Sequence, residues 1–262
     1  MGLEIWLILA IGGLVSGVLA GFLGIGGGVV LVPLLVTLGY TPVQAVATSS
    51  LGILINSIFG SYQNWKMGYL HFKPIIYLGL PAIVTAQIGV YFASRIPSYL
   101  LLFLFGILLL FNIYLVQLRN RLLAKQSATD AKPAKKFDPT VSRIFTGSAA
   151  GILAGLFGVG GGVIMVPLQM LLLGEKIKVA IQTSLAVIVL TAVSACFGHA
   201  LEGNVLFMEG LLLGSGGLLG VQVSTRTLPK LPDKLVSIIF RGFLAVLSVY
   251  FFWQAWHILH TV

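Results

Sequence analysis

Two glycine-rich runs are the part of this sequence that most directly suggests binding chemistry. The first reads GFLGIGGGVVLVP, from Gly21 to Pro33, and the second reads GLFGVGGGVIMVP, from Gly155 to Pro167. Glycine adopts positive φ easily and lets a ligand or another backbone approach closely, so each run predicts a broken helix. A short helix that begins after such a break has backbone N–H groups without intrahelical partners and partial positive charge at its first turn. Each run therefore predicts an anion site made of backbone.

Close helix packing by small residues is the competing interpretation of these glycines, and it is common in membrane proteins. A near-identical run in both halves, each followed five residues later by proline, favours the anion site. A nucleotide loop fits poorly, because GIGGGV lacks the last glycine of G-x-G-x-x-G and no Lys-Ser/Thr follows it. The residues assigned to the two breaks are Gly24, Gly26, Gly27, Gly28 and Val29, and Gly158, Gly160, Gly161, Gly162 and Val163.

Hydroxyl and amide side chains give further candidates. Ser49, Ser50, Thr183 and Ser184 offer neutral donors that suit an oxyanion without holding it as a full ion pair would; the alternative role is back-bonding to a carbonyl one turn earlier. A buried amide needs a hydrogen-bond partner, so Gln87 and Gln222 could contact either the substrate or a neighbouring helix. The titration range of a histidine suits proton coupling, although His199 lies near a helix end. The possible polar-cavity residues are Gln87, Gln222, Asn56 and His199.

The sequence groups no residues for catalysis or metal binding. All seven acidic residues lie at segment ends or in loops, so no embedded carboxylate offers a proton or sodium site. A single cysteine, Cys196, excludes a cysteine-cluster metal site, and no Ser/His/Asp set or carboxylate pair is recognisable. We therefore predict that the protein is not an enzyme and that it uses no cofactor and no metal.

Composition places these residues in a lipid bilayer. Of the 262 residues, 58% are hydrophobic and only 9% are charged, whereas soluble domains carry about 25% charged residues. The net charge of +9 comes from basic residues at segment ends, where they set membrane orientation, so we expect no nucleic acid partner. Spanning segments are predicted at about 3–22, 43–65, 75–93, 98–118, 143–157, 180–199, 205–227 and 235–257, with short arms at 29–38 and 163–173.

The chain is an internal duplication. At a constant offset of 134, residues 17–35 and 151–169 share twelve identities in nineteen positions. The alignment continues with Ser49 and Ser50 on Thr183 and Ser184, and with one residue inserted Gln87 falls on Gln222. We predict a first transmembrane repeat at 1–118, a basic cytoplasmic linker at 119–142 and a second repeat at 143–262.

Lysine and arginine placement favours inverted repeats over parallel ones. If each half crosses four times, nine basic residues lie on the linker side and seven on the other. If each glycine-broken segment instead turns back on itself, fifteen lie on the linker side and only Arg95 lies opposite. The predicted fold is an all-α polytopic membrane protein with inverted repeats. Each half has a re-entrant or discontinuous broken helix and three spanning helices, and eight full spans are the alternative.

These motifs resemble the TauE/SafE family, also called the sulfite exporter or toluenesulfonate-uptake permease family. The resemblance rests on the doubled GxGGGxxxVP pattern at Gly24–Pro33 and Gly158–Pro167, the Thr/Ser pair that opens the next helix, and the basic linker. It covers essentially the whole chain. Mapped onto this sequence, the resemblance implies that the substrate is bound by the break residues and the four hydroxyl residues named above, together with Thr48 and Gln182.

The resemblance implies a multi-pass transporter of the prokaryotic cytoplasmic membrane. Its expected substrate is a small sulfur oxyanion or organosulfonate, such as sulfite or sulfoacetate, exported or exchanged by alternating access. An anion channel, or a permease for a non-sulfur organic anion on the same scaffold, is the alternative function.

Overall fold

The computed structural model describes residues 3–128 and 138–261, and the side chains of residues 4–118 and 138–257. Apart from one short 3-10 turn, the regular structure of the described residues is entirely α-helical, with five helices in each half. The first half contains α1 (Leu3–Leu23), α2 (Gly28–Thr37), α3 (Pro42–Lys66), α4 (Phe72–Ala93) and α5 (Ser98–Ala128). The second contains α6 (Pro139–Phe157), α7 (Gly162–Leu172), α8 (Ile177–Leu201), α9 (Phe207–Thr227) and α10 (Asp233–Thr261).

Seven of the described helices are long and apolar enough to cross a membrane: α1, α3, α4, α5, α6, α8 and α10. The predicted all-α polytopic membrane protein is therefore confirmed. The predicted span at 205–227 corresponds to α9, which has 21 residues but is not among the seven. Its five glycines, together with Glu209 and Arg226, lower its hydropathy.

Each glycine-rich run forms the bend of a helical hairpin, as the sequence predicts. After the bend, α2 runs back along α1: the Ser16 hydroxyl donates to the Gly27 carbonyl, and Leu34 packs on Gly12. The break ends one helix and starts the next because its glycines hold the left-handed conformation, which other residues rarely adopt. The glycines with positive φ are Gly24, Gly26 and Gly27 in the first bend and Gly158, Gly160 and Gly161 in the second.

The first helix of each half packs against a helix of the other half. Gly13 and Gly17 of α1 lie against the carbonyls of Leu213 and Gly217 of α9, so the two helices run parallel with their backbones in contact. Small residues allow this approach, which gives close van der Waals packing inside a membrane. The equivalent contacts of α6 with α4 are Gly147 with Leu78 and Gly151 with Ala82.

A shared cavity and further glycine contacts fix the directions of the central helices. Tyr69, just after α3, and Lys176, just before α8, line one cavity, so α3 and α8 run in opposite directions. Helix α9 runs parallel to α3, and α4 runs parallel to α8. The contacts that show this are Leu51 with Gly210 and Ile55 with Gly214, and Leu190 with Gly79 and Val90 with Gly198. We call the end of the bundle where α3 finishes and α8 begins the linker end, and the opposite end the far end.

A hydrogen bond at the far end agrees with these directions. Tyr40, between α2 and α3, donates its phenol hydroxyl to Glu209 in the first turn of α9, 3.3 Å away. Burial, and then the Glu209 carboxylate, raise the pKa of the Tyr40 phenol above its ordinary value, which keeps the hydroxyl protonated as a donor. The starts of α3 and α9 therefore lie together.

The register of the repeat differs from the sequence alignment after α7. Helix α7 has 11 residues and α2 has 10, so from here on equivalent positions are 135 apart and α3 at 42–66 matches α8 at 177–201. Ser49 is therefore equivalent to Ser184, and Ser50 to Leu185. The predicted match of Ser49 and Ser50 with Thr183 and Ser184 is wrong by one residue, because the inserted residue lies before these serines.

The predicted linker at 119–142 contains the ends of two helices. Helix α5 continues to Ala128, and α6 begins at Pro139, where the Asp138 carboxylate accepts hydrogen bonds from the backbone N–H groups of Thr140 and Val141. An acidic N-cap followed by proline is a strong helix start. Residues 129–137, the middle of the predicted linker, lie outside the described residues.

The glycine contacts between α1 and α9 can be tested by adding one methyl group. In Gly17→Ala the new Cβ would collide with the carbonyl of Gly217, whereas in Gly242→Ala it would meet nothing within 4 Å. We expect Gly17→Ala to lose about 1–3 kcal/mol of stability, the usual effect of overpacking. Its melting temperature in detergent should be several degrees lower, and Gly242→Ala should melt at or above the wild-type temperature. Equal melting of the two variants would contradict the close α1–α9 contact.

Candidate functional site

The two breaks lie side by side halfway along the central helices. A Cβ placed on Gly26 would be 2.8 Å from Cγ2 of Ile53, and one on Gly160 would be 2.7 Å from Cγ2 of Ile188. Each break also touches the other isoleucine, at 3.3 Å and 3.1 Å respectively. Ile53 and Ile188 are each the twelfth of the 25 residues of α3 and α8. Both breaks therefore meet at mid-depth, between the same two side chains.

At this meeting point the backbones of the two hairpins are in direct contact. A Cβ on Gly28, the first residue of α2, would collide with the carbonyl oxygen of Gly158. A Cβ on Gly162, the first residue of α7, would collide with the carbonyl oxygen of Gly24. The start of each short helix, which the sequence predicts as an anion site, is thus covered by a carbonyl of the other hairpin.

The predicted serine donors join the two halves. The hydroxyl of Ser49 on α3 lies 2.8 Å from the Gly158 carbonyl, and that of Ser184 on α8 lies 2.8 Å from the Gly24 carbonyl. Each hydroxyl also lies within reach of a carbonyl of its own helix, Val46 at 2.8 Å and Ile181 at 2.9 Å. The predicted back-bonding is therefore present at both serines, and each hydroxyl also reaches the opposite break.

The other hydroxyls predicted for the site have separate partners. Thr48 accepts a hydrogen bond at 3.1 Å from the backbone N–H of Leu206, the N-cap residue of α9. Ser50 donates to the Val46 carbonyl one turn earlier, at 3.0 Å. Thr183 is buried, with 5% of its surface exposed. Of the predicted hydroxyl group, Ser49 and Ser184 are the pair that the fold brings to the two breaks.

The four possible polar-cavity residues lie in different helix contacts. Gln87 donates to the backbone carbonyl and the hydroxyl of Ser194, at 2.6 Å and 2.7 Å, and so ties α4 to α8. His199 bonds the Gly155 carbonyl of α6 at 2.9 Å. Gln222 is the repeat partner of Gln87. The position in α3 equivalent to Ser194 is Phe59, which has no hydroxyl to accept a hydrogen bond from Gln222. Asn56 is fully buried on α3, beside Gly217 of α9, and its amide atoms have no hydrogen-bond partner.

Sequence reasoning missed two hydroxyls at the breaks. Thr191 donates to the Gly160 carbonyl at 2.9 Å, and Ser16 donates to the Gly27 carbonyl at 3.1 Å. Their repeat partners are Asn56 and Ala150, so neither hydroxyl is duplicated. A search for polar residues common to both halves passes over them for that reason.

A basic cavity opens at the linker end, beside the start of α8. It has a volume of about 420 Å³ and includes Gln182, a predicted site residue one position before Thr183. Lys178 bonds the Pro229 carbonyl at 3.0 Å and pairs with Asp233 at 3.4 Å. An adjacent cavity of about 370 Å³ adds further cations. The charged residues that line the two cavities are Lys176, Lys178, Asp233, Lys234 and Arg241.

The fold and the site define this chain as an all-α polytopic membrane protein in which two helical hairpins break at mid-depth within the bundle. A family model described as sulfite exporter TauE/SafE matches residues 9–251, nearly the whole chain. The chain belongs to the TauE/SafE family of membrane transporters, and the resemblance read from the glycine runs is confirmed. It is a multi-pass protein of the prokaryotic cell membrane.

Relatives that match most of this chain are membrane transporters by name. The probable membrane transporter protein YunE of Bacillus subtilis is 28% identical over 90% of this chain and 93% of its own length. The probable membrane transporter protein MJ0441 of Methanocaldococcus jannaschii is 31% identical over 73% of this chain and 71% of its own. The sulfite exporter TauE/SafE family protein 1 of Arabidopsis thaliana is 31% identical over 34% of this chain and 20% of its own.

The serine links between the halves can be tested by removing their hydroxyls. In Ser184→Ala the buried Gly24 carbonyl loses the hydroxyl donor that reaches it from α8, and we expect a loss of about 1–3 kcal/mol of stability. Ser49→Ala should lose a similar amount by symmetry. Ser215→Ala is the matched control, because the exposed Ser215 hydroxyl bonds only a carbonyl of its own helix. Thermal unfolding in detergent that does not separate Ser184→Ala from Ser215→Ala would argue against the links.

Proposed function

We propose that this protein is a secondary transporter that exports or exchanges small sulfur-containing anions, such as sulfite or sulfoacetate, by alternating access. The observation that carries the proposal is the meeting of the two broken helices at mid-depth between α3 and α8. Transporters bind substrate at such positions, where half-helix N-termini and irregular backbone are protected from lipid by the repeat interface. Membership of a sulfite exporter family supports the sulfur class of the substrate.

Inverted repeats are part of the proposal. Helices α3 and α8 occupy equivalent places in the two halves and run in opposite directions, which supports a two-fold axis in the membrane plane. The exchange of contacts, α1 with α9 and α6 with α4, follows the same symmetry. In this arrangement α1–α2 and α6–α7 are re-entrant hairpins that enter from opposite faces, and each half crosses the membrane three times.

Charge supports a cytoplasmic linker end. With re-entrant hairpins, the topology predicted from the sequence puts fifteen basic residues on the linker side and only Arg95 opposite. Positive residues mark the cytoplasmic side of membrane proteins. The basic cavities beside α8 would then face the cytoplasm, where they raise the local concentration of anions before export.

Substrate binding would replace the carbonyl contacts between the hairpins. When the halves rock apart, the starts of α2 and α7 lose the Gly158 and Gly24 carbonyls that cover them. Ser49 and Ser184 lose the same partners, so hydroxyl donors and helix N-termini become free together. An oxyanion offers acceptor oxygens to both groups. The site would comprise the ten break residues with Ser49 and Ser184, and the neighbouring Thr48, Ser50, Gln182 and Thr183 would flank it on α3 and α8.

The breaks can be tested by a substitution whose control has the same backbone strain. Gly160→Ala and Gly174→Ala both place a methyl group at positive φ, +69° in each case, but only Gly160 has neighbours within 4 Å. We expect Gly160→Ala to reduce anion flux in proteoliposomes by about tenfold, which corresponds to a barrier about 1.4 kcal/mol higher. Gly174→Ala should keep wild-type flux. Wild-type flux through folded Gly160→Ala, and through the equivalent Gly26→Ala, would exclude the breaks from the transport path.

Substrate class can be tested by thermal stabilisation of the purified protein with sulfite, sulfoacetate, thiosulfate, sulfate, phosphate and acetate. A ligand that binds only the folded state raises the melting temperature, by an amount equivalent to about 2.7 kcal/mol at one hundred times its dissociation constant. We expect a shift with at least one sulfur anion and saturable flux of that anion in proteoliposomes. A shift only with acetate or phosphate would move the substrate outside the sulfur class. Electrical conductance that does not saturate would show a channel.

A further inference from the structure

We propose that a buried row of neutral polar side chains on α3 forms the substrate path between the hairpin breaks and the linker end. The row consists of Asn56, Ser57, Ser61 and Asn64, and we call it the polar row. The inference rests on the proposed function, because it assigns a route to the anion that the breaks would bind.

The polar row lies on one face of the helix. Asn56 and Asn64 are eight residues apart, with Gly60 between them, and Ser57 and Ser61 are four apart, so the four side chains follow successive turns. Asn56, Ser57 and Asn64 each have 0% of their surface exposed. Their polar side-chain atoms, and the hydroxyl oxygen of Ser61, are buried without a hydrogen-bond partner.

Buried groups of this kind are expensive and need an explanation. An amide in an apolar environment loses its hydrogen bonds to water, and native proteins leave few such groups unpaired. Packing requires no polar atoms here, because leucine and alanine would fill similar volumes. A state of the protein in which water or an anion reaches the row would explain why amides and hydroxyls occupy these positions.

The row lies on the part of α3 between the proposed binding region and the end of the helix beside the basic cavity. Asn56 is one turn beyond Ile53, the residue that touches both breaks. At the other end, the backbone carbonyl of Asn64 accepts a hydrogen bond from the backbone N–H of Tyr69 at 3.0 Å, and Tyr69 lines the cavity with Lys178. By position along α3, the row therefore runs from one turn beyond mid-depth to the last turn of the helix, next to the segment that lines the charged opening.

Helix α8 has no such row at the equivalent positions. The equivalent positions on α8 are Thr191, Ala192, Cys196 and His199. Thr191 donates to the Gly160 carbonyl and Nε2 of His199 bonds the Gly155 carbonyl, which leaves Nδ1 of His199 as the one side-chain nitrogen or oxygen without a partner at these positions. Alanine and cysteine stand where α3 has serines. Because the symmetry of the breaks does not extend to these residues, the polar row is a property of the linker-end half of the path.

Helix α9 covers Asn56, the first residue of the row, in this structure and would have to move to open it. Gly214 lies against Ile55, a Cβ on Gly217 would collide with the Asn56 amide, and Val221 lies against Gly60. These contacts place little side chain between the helices, so a small separation of α9 from α3 would admit water and a partly hydrated oxyanion. Amide N–H and hydroxyl groups would then donate to the oxyanion without trapping it as a lysine would.

The first test replaces the two amides by an apolar side chain of similar shape. If the row conducts substrate, Asn56→Leu and Asn64→Leu should lower anion flux by about tenfold, while the melting temperature rises by about 2 °C or more because unpaired polar atoms are removed. The control is Thr191→Val on α8, which removes a hydroxyl that has a partner and should lower the melting temperature. Wild-type flux through both leucine variants would overturn the proposal.

The second test does not depend on the identity of the substrate. Ser57 and Ala192 occupy equivalent positions with 0% and 1% exposure. In a Cys196→Ser background, Ser57→Cys should react with the membrane-permeant reagent N-ethylmaleimide at least about tenfold faster than Ala192→Cys, because only the polar row becomes hydrated. Equal, slow reaction of both cysteines would overturn the path. If Ser57→Cys reacts but the wild-type protein carries no sulfur anion, the proposed substrate fails and the path stands.

Discussion

The structure depends on the rule that backbone N–H and C=O groups inside a bilayer must find partners within the protein. A helix that breaks at mid-depth exposes carbonyls to hydrocarbon unless another element reaches them. Here each break is completed by the opposite half, through the hydroxyls of Ser49 and Ser184 and through backbone contact between the hairpins. The duplication therefore has a physical purpose, because either half alone would leave a buried carbonyl without its donor from the other half.

Glycine makes this arrangement possible in two ways. At the breaks it supplies positive φ, and along α1, α4, α6 and α9 it removes the side chains that would keep the helices apart. Interhelical attraction in a membrane comes from close van der Waals packing, so these contacts also hold the exchanged helices together. The same small contact surfaces can separate without disturbing large interlocked side chains, which suits elements that move during transport.

The sequence predicted the parts of the fold that leave a repeated local signal. The breaks at Gly26 and Gly160 and the helices around them followed from glycine spacing and composition. The register of Ser49 with Ser184 was predicted wrongly, because one inserted residue in α7 shifts every later position and no gap is visible in an apolar run. The carbonyl partners of the serines, and the unpaired state of Asn56 and Asn64, were beyond prediction, since they depend on how close two backbones approach.

The exchange of helices between the halves also affects how the chain is made. Helix α1 packs on α9, and Gly17 and Ser224 are joined by a hydrogen bond across 207 positions in the sequence. Ribosomes add about 5–20 residues per second, so α1 and its hairpin spend roughly 10–40 s in the membrane before their partner is synthesised. During that time the glycine face of α1 and the Gly24 carbonyl lack their final contacts. The nascent first half therefore needs a temporary shelter from lipid, from the insertion machinery or from its own neighbouring helices, until α8 and α9 arrive.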